Sequence, residues 1–135
     1  MLWIAVTIIC TFAGCGIAGC QKKATEQFTV PPEEQARKNP FAASPEAIAE
    51  GMHLYRTSDC AICHGVSGNG KGVLAGDTSM NTHDWRDPAS LASMTDGELF
   101  YILQNGKGRM PGYGRKETSD RMWHIIIFIR SLGGK

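Results

Sequence analysis

Apolar residues recur at helical spacing in three places along this chain. In the first, Ile48, Met52 and Tyr55 form one stripe. Ahead of it Ser44 suits a helix cap, Pro45 the first helical position and Glu46 the positive end of the dipole. Gly51 falls inside the stripe, where glycine is costly unless another helix crosses closely. The second run starts at Thr95-Asp96, with Thr95 and Glu98 at capping-box spacing. It passes through Leu99, Phe100, Ile102 and Leu103 to a stop at Gly106. The third begins near Ser119-Asp120, carries Trp123, Ile126, Ile127 and Arg130, and ends at Gly133-Gly134. It is apolar on most sides from Ile125 to Ile129, so it must be covered on several. The pattern predicts an all-α domain over 44–135 with about three main helices.

The remaining stretches read differently. Gly65 to Gly72 is too rich in glycine to be anything but a loop, and no Lys-Ser or Lys-Thr closes it as a phosphate-binding loop. Residues 21–43 are polar, with Pro31-Pro32 and Glu33-Glu34, and read as a flexible linker with some tens of ångströms of reach. Met1 to Cys20 contains no Lys, Arg, Asp or Glu and reads as a lipoprotein signal peptide or membrane anchor. Ile17-Ala18-Gly19-Cys20 resembles a bacterial lipobox, which makes Cys20 the candidate for lipidation. Cleavage there removes Cys10 and Cys15 and leaves Cys60 and Cys63 for other chemistry. An uncleaved membrane helix is the alternative, because no positive residue opens the leader and about 20 apolar residues just span a bilayer.

Charge changes the picture only by exclusion. The 14 basic and 13 acidic side chains nearly cancel, which excludes a polyelectrolyte partner such as nucleic acid and argues against strong long-range steering.

Candidate chemistry concentrates in Cys60-Ala61-Ile62-Cys63-His64. Two thiols separated by two residues, followed at once by an imidazole, are what covalent attachment of one haem c requires. On a helical turn all three side chains address one flat ring, the thiols taking its two vinyl groups and His64 its iron. A structural zinc site needs a second ligand pair, and none follows. A redox dithiol needs a strand-to-helix context, and no strand pattern surrounds the pair.

The sixth iron site then decides the function. Met110 is the candidate distal ligand, because it lies between two helices and Pro111 drives it to an extended conformation while nearby glycines admit close backbone approach. Met80 stands next. Met52, Met94 and Met122 sit in or at helices, where methionine usually packs. His53 and His124 fall within helices, leaving His83 as the imidazole competitor. A thioether favours reduced iron and raises the potential, whereas a second imidazole lowers it.

With Gly51, Tyr55, the Cys60–His64 motif, Asp96 to Phe100, Asn105-Gly106, Met110-Pro111 and Trp123 to Arg130 in order, the chain resembles a monohaem class I cytochrome c. The resemblance implies a crossing of the first and last helices at Gly51 and Phe128. It also implies a proximal imidazole N–H bonded to a backbone carbonyl, with Val73 standing where the family commonly has proline. More narrowly, the pattern is similar to small lipoprotein cytochromes of quinol-oxidising assemblies such as alternative complex III. The expected function is electron transfer, not catalysis, with redox proteins of a quinol-oxidising complex or a terminal oxidase as partners. The expected location is the periplasmic face of a bacterial membrane. Arg109, Trp85 and Tyr113 are candidates for bonding haem propionates. A haem enzyme or gas sensor with an open sixth site is the alternative.

Overall fold

In the computed structural model, residues 28–76 and 82–133 are described. Cys20, its leader and Met80 lie outside the described residues.

Six helices and one short hairpin make up the described chain: α1 (Pro32–Gln35), α2 (Pro45–Thr57), α3 (Cys60–His64), α4 (Pro88–Ala92), α5 (Asp96–Asn105), β1 (Gly106–Lys107), β2 (Met110–Pro111) and α6 (Ser119–Leu132). The three predicted main helices are α2, α5 and α6. Their caps follow the sequence: Ser44 Oγ accepts from Ala47 N, and Thr95 and Glu98 form the reciprocal capping box. Thr118, one residue ahead of the expected start, caps α6.

α2 and α6 cross at Gly51. A Cβ there would collide with the His124 carbonyl oxygen and stand 2.9 Å from Phe128 Cβ, so only glycine lets the two backbones meet. Tyr55 packs its ring on Phe128 with centroids 5.1 Å apart. Ile125 and Ile126 are fully buried, which supplies the several-sided cover that so apolar a helix needs. Arg130, near the end of α6, ties in the neighbouring elements. Its Nε donates to Asp96 Oδ1 at 2.8 Å, and its two terminal nitrogens donate to the Leu91 and Met94 carbonyls, each at 2.6 Å.

One expectation needs correction. Residues 28–43, read as part of a flexible linker, lie against the domain. Arg37 stacks over Phe100 and Trp123, Asn39 Nδ2 donates to the Trp123 carbonyl at 3.0 Å, and Phe41 packs on His124. Low overall hydrophobicity hid this, because the docking uses a guanidinium on aromatic faces and single polar bonds to backbone. The segment carrying Met110, extended as Pro111 requires, forms an antiparallel hairpin that pairs Gly106 with Pro111 and Lys107 with Met110. Among the described residues no helix is long and apolar enough to cross a membrane.

Candidate haem site

The thiol-imidazole motif owes its position to a sharp turn. α2 ends at Ser58, Asp59 takes a left-handed conformation at φ 65°, and α3 starts at once with Cys60. Aspartate tolerates that region better than most residues. The Tyr55 hydroxyl, buried, donates to the Gly65 carbonyl at 2.8 Å and so pins the far end of α3 to α2. The glycine loop folds back beneath the motif, where Gly70 N donates to the His64 carbonyl and Gly72 N to that of Cys63. Trp85 N donates to the Gly68 carbonyl at 2.7 Å, bringing the indole up to the imidazole.

These elements enclose a cavity of about 430 Å³, within the range of small-molecule and cofactor pockets. Cys60, Cys63, His64 and Met110 all line it. So do Trp85, Arg109 and Tyr113, the three propionate candidates, and the aliphatic wall comes from α5 and α6 through Leu99, Leu103, Ile125 and Ile129. His53 and His124 do not line it. Met122 is core, 2% exposed and away from the cavity wall. Met94 does line it, so a second thioether reaches the wall that the sequence pattern assigned to packing. His83 lines it too, but as the end of a ring column. His64 stacks on Trp85 at 5.7 Å, and Trp85 on His83 at 5.2 Å, which joins His83 to the His64 wall.

Electrostatics follow from burial. Loss of solvation pushes the Cys60 thiol up to about 12 and the Tyr113 phenol also to about 12. The same cause raises Tyr55 further, and holds His64 below the usual imidazole range, with His83 adding to the effect. A neutral His64 keeps a ring lone pair for a metal.

The enclosure fits haem on three observations. Both cysteines are free thiols, the lining is dominated by aliphatic and aromatic side chains, and the buried donor Trp85 Nε1 has no partner among the described residues. Orphaned buried nitrogens are costly unless a bound group satisfies them. The carbonyl expected to hold the imidazole does not do so. Val73 is 81% exposed on a turn, and His64 Nδ1 finds no acceptor among the described residues. On that turn Leu74 N donates to the Ile62 carbonyl at 3.1 Å.

No curated protein matches the chain. Among solved structures, a chain of the Kuenenia stuttgartiensis reducing HAO-like protein complex Kustc0457/Kustc0458 is similar. Its TM-score is 0.59 and its identity 20%, and the match covers 69% of this chain and 46% of that one. At that identity the likeness speaks to fold alone, and this chain spans about half of its neighbour. The family model described as cytochrome c oxidase, cbb3-type, subunit III matches residues 46–129, which include all but the first residue of α2, the thiol-imidazole motif, the Met110 hairpin and most of α6. With more than half its length so matched, the chain belongs to that cytochrome c family and has the all-α class I cytochrome c fold.

Proposed function

We propose that this protein is a membrane-tethered monohaem c-type cytochrome with His64 and Met110 as axial ligands, serving electron transfer in or beside a respiratory complex. The family carries the coarser part: a cytochrome c domain binds haem c covalently and acts as an electron carrier. The observation that supports the finer part is the convergence of Cys60, Cys63, His64 and Met110 on one cavity from two separate stretches of chain. When bound, haem supplies an iron that alternates between ferrous and ferric states.

The protein's own residues divide the remaining work. Cys60 and Cys63 hold the ring edge by thioether bonds, and His64 offers a neutral imidazole from a wall stiffened by Trp85. The hairpin presents the Met110 sulfur in extended backbone, and the aliphatic faces of α5 and α6 keep water away. Lys107, Arg109, Arg115 and Lys116 are all exposed, and no acidic residue lies between 106 and 116. A redox partner approaching this face meets local positive charge although the whole chain is near neutral, which suits an acidic docking surface. A quinol-oxidising assembly or a terminal oxidase supplies such partners. Lipidation at Cys20 places the domain on the periplasmic side of a bacterial membrane.

Changing Met110 to alanine is expected to abolish the long-wavelength charge-transfer band that a thioether gives ferric haem, lower the potential and open the ferrous protein to carbon monoxide. Changing Met94 to alanine is expected to leave the band in place. The reverse pattern assigns the ligand to Met94, and rapid carbon monoxide binding by the unaltered protein favours the enzyme or sensor reading. Mass spectrometry of the mature protein from a host with cytochrome maturation is expected to find one haem and acyl chains on an N-terminal Cys20. A product that retains residues 1–19 without lipid overturns the lipoprotein part and leaves the haem part standing.

A further inference from the structure

The segment from Phe28 to Lys38 precedes the residues that the family match covers, yet it is fastened to the domain at every turn. At its start, the Phe28 ring tilts against Tyr101 of α5 with centroids 6.0 Å apart, and Lys107 Nζ sits 5.2 Å over the same ring. Gln35 Nε2 donates to the Val30 carbonyl at 2.8 Å and closes the segment into a compact turn with α1. The α1 backbone then lies directly on the first turn of α5. A Cβ at Gly97 would collide with the Glu34 carbonyl oxygen, and Thr95 Oγ1 donates to the Gln35 carbonyl at 2.9 Å. Arg37 finishes the attachment, its guanidinium 4.3 Å from the Phe100 ring centre and 5.5 Å from that of Trp123, and ion-paired to Glu34 at 2.8 Å.

The attachments share one feature. Apart from Trp123 they fall on α5 and its cap or on Lys107, and Lys107 is the β1 residue paired with Met110 across the hairpin. α5 runs straight into that hairpin, so whatever fixes α5 and Lys107 fixes the frame from which the Met110 side chain reaches the cavity. Beyond these, the hairpin is held by the chain just after it, where Tyr113 N donates to the Leu103 carbonyl at 2.8 Å and Gly114 N to that of Gln104 at 3.0 Å. It is two residues per strand, with positive φ at Gly106 and Gly108, and a two-stranded ribbon of that length has no stability of its own.

We propose that Phe28 to Lys38 is a positioning strap that holds α5 and, through the Phe28–Lys107 contact, the hairpin that carries Met110. The inference rests on the reading of Met110 as the distal ligand and adds the element that keeps it in place. Phe28 and Lys107 are positioning residues; neither replaces the sulfur.

The test uses the full-length haem protein and measures the rate of carbon monoxide binding to the ferrous form, the strength of the thioether band in the ferric form, and amide hydrogen exchange in the hairpin. Phe28→Ala and Lys107→Gln are each expected to speed carbon monoxide binding about tenfold, weaken the band and raise exchange in the hairpin, because the closed population falls with the lost contact. Phe28→Tyr keeps a ring beneath the cation and is expected to match the unaltered protein. Phe41→Ala removes the contact with His124 on α6, which does not touch the hairpin, and is expected to lower stability without changing the carbon monoxide rate. The strap role is overturned if Phe28→Ala binds carbon monoxide at the unaltered rate while Met110→Ala binds it fast, or if Phe41→Ala speeds binding as much as Phe28→Ala does. A Met110→Ala protein that binds no faster overturns the ligand reading, and the strap role with it.

Discussion

Withheld from haem, the chain is expected to lose its cooperative fold. The cavity of about 430 Å³ lies between α3, the hairpin, α5 and α6, where a small domain would otherwise have its core. Without the ring, the apolar walls of Leu99, Leu103, Ile125 and Ile129 would face water, and a small domain with a total stability of about 5–15 kcal/mol has little to offset that exposure. The buried Trp85 Nε1 adds to the cost when nothing satisfies it. Partial collapse recovers some of this, but the walls are helices pinned elsewhere by the Gly51 crossing and by Arg130. A chain carrying both Cys60→Ala and Cys63→Ala, or made without cytochrome maturation, should show much reduced helical circular dichroism and a urea midpoint near zero. An apo-protein with the denaturation midpoint of the holo-protein would mean that the core forms without the ring.

Gly51→Ala should force the two main helices apart at their crossing and destabilise the domain strongly. The new Cβ meets a backbone oxygen, that of His124, which cannot rotate aside as a side-chain tip would. Relief requires α2 and α6 to separate, and that loosens the Tyr55–Phe128 contact and the buried faces around Ile125 and Ile126. Overpacking of this kind costs about 3 kcal/mol, which for a domain of this size lowers the melting temperature by roughly 10–20 °C. Gly76→Ala is the matched control. A Cβ there has open space and ordinary backbone angles, so its effect should stay within about 0.5 kcal/mol. Equal melting temperatures for the two variants would show that the crossing tolerates wider separation.

Much of this architecture is legible in the order of residues. Ser44-Pro45, Thr95-x-x-Glu98 and the glycine at 51 each encode a local rule whose outcome depends on few distant contacts, so the three main helices and the close crossing follow from them. α4 obeys the same rule, with Asp87 capping and Pro88 at its first position, but its one buried residue, Leu91, makes no periodic stripe. The docking of residues 28–43 was not legible, because its anchor is a guanidinium over a stacked pair of rings, Phe100 and Trp123, that come together only after α5 and α6 fold. The same holds within the cavity. The motif points to Cys60, Cys63 and His64 by spacing alone, and Pro111 explains why Met110 is extended. Nothing local distinguishes Met94 from a packing methionine, and nothing local predicts that Trp85 will stand between His64 and His83.

The docked N-terminal segment also limits where this protein can work. A free tether from Cys20 to Ser44 would contain 24 residues and swing through a radius of roughly 80 Å. With the chain clamped from Phe28 onward, only 8 residues would separate the domain from the lipid proposed for Cys20, and they would extend at most roughly 28 Å. That distance is close to the width of one small globule, so if Cys20 carries the proposed lipid the haem pocket stays within about one globule of the membrane surface, and a partner has to present its redox centre at that height.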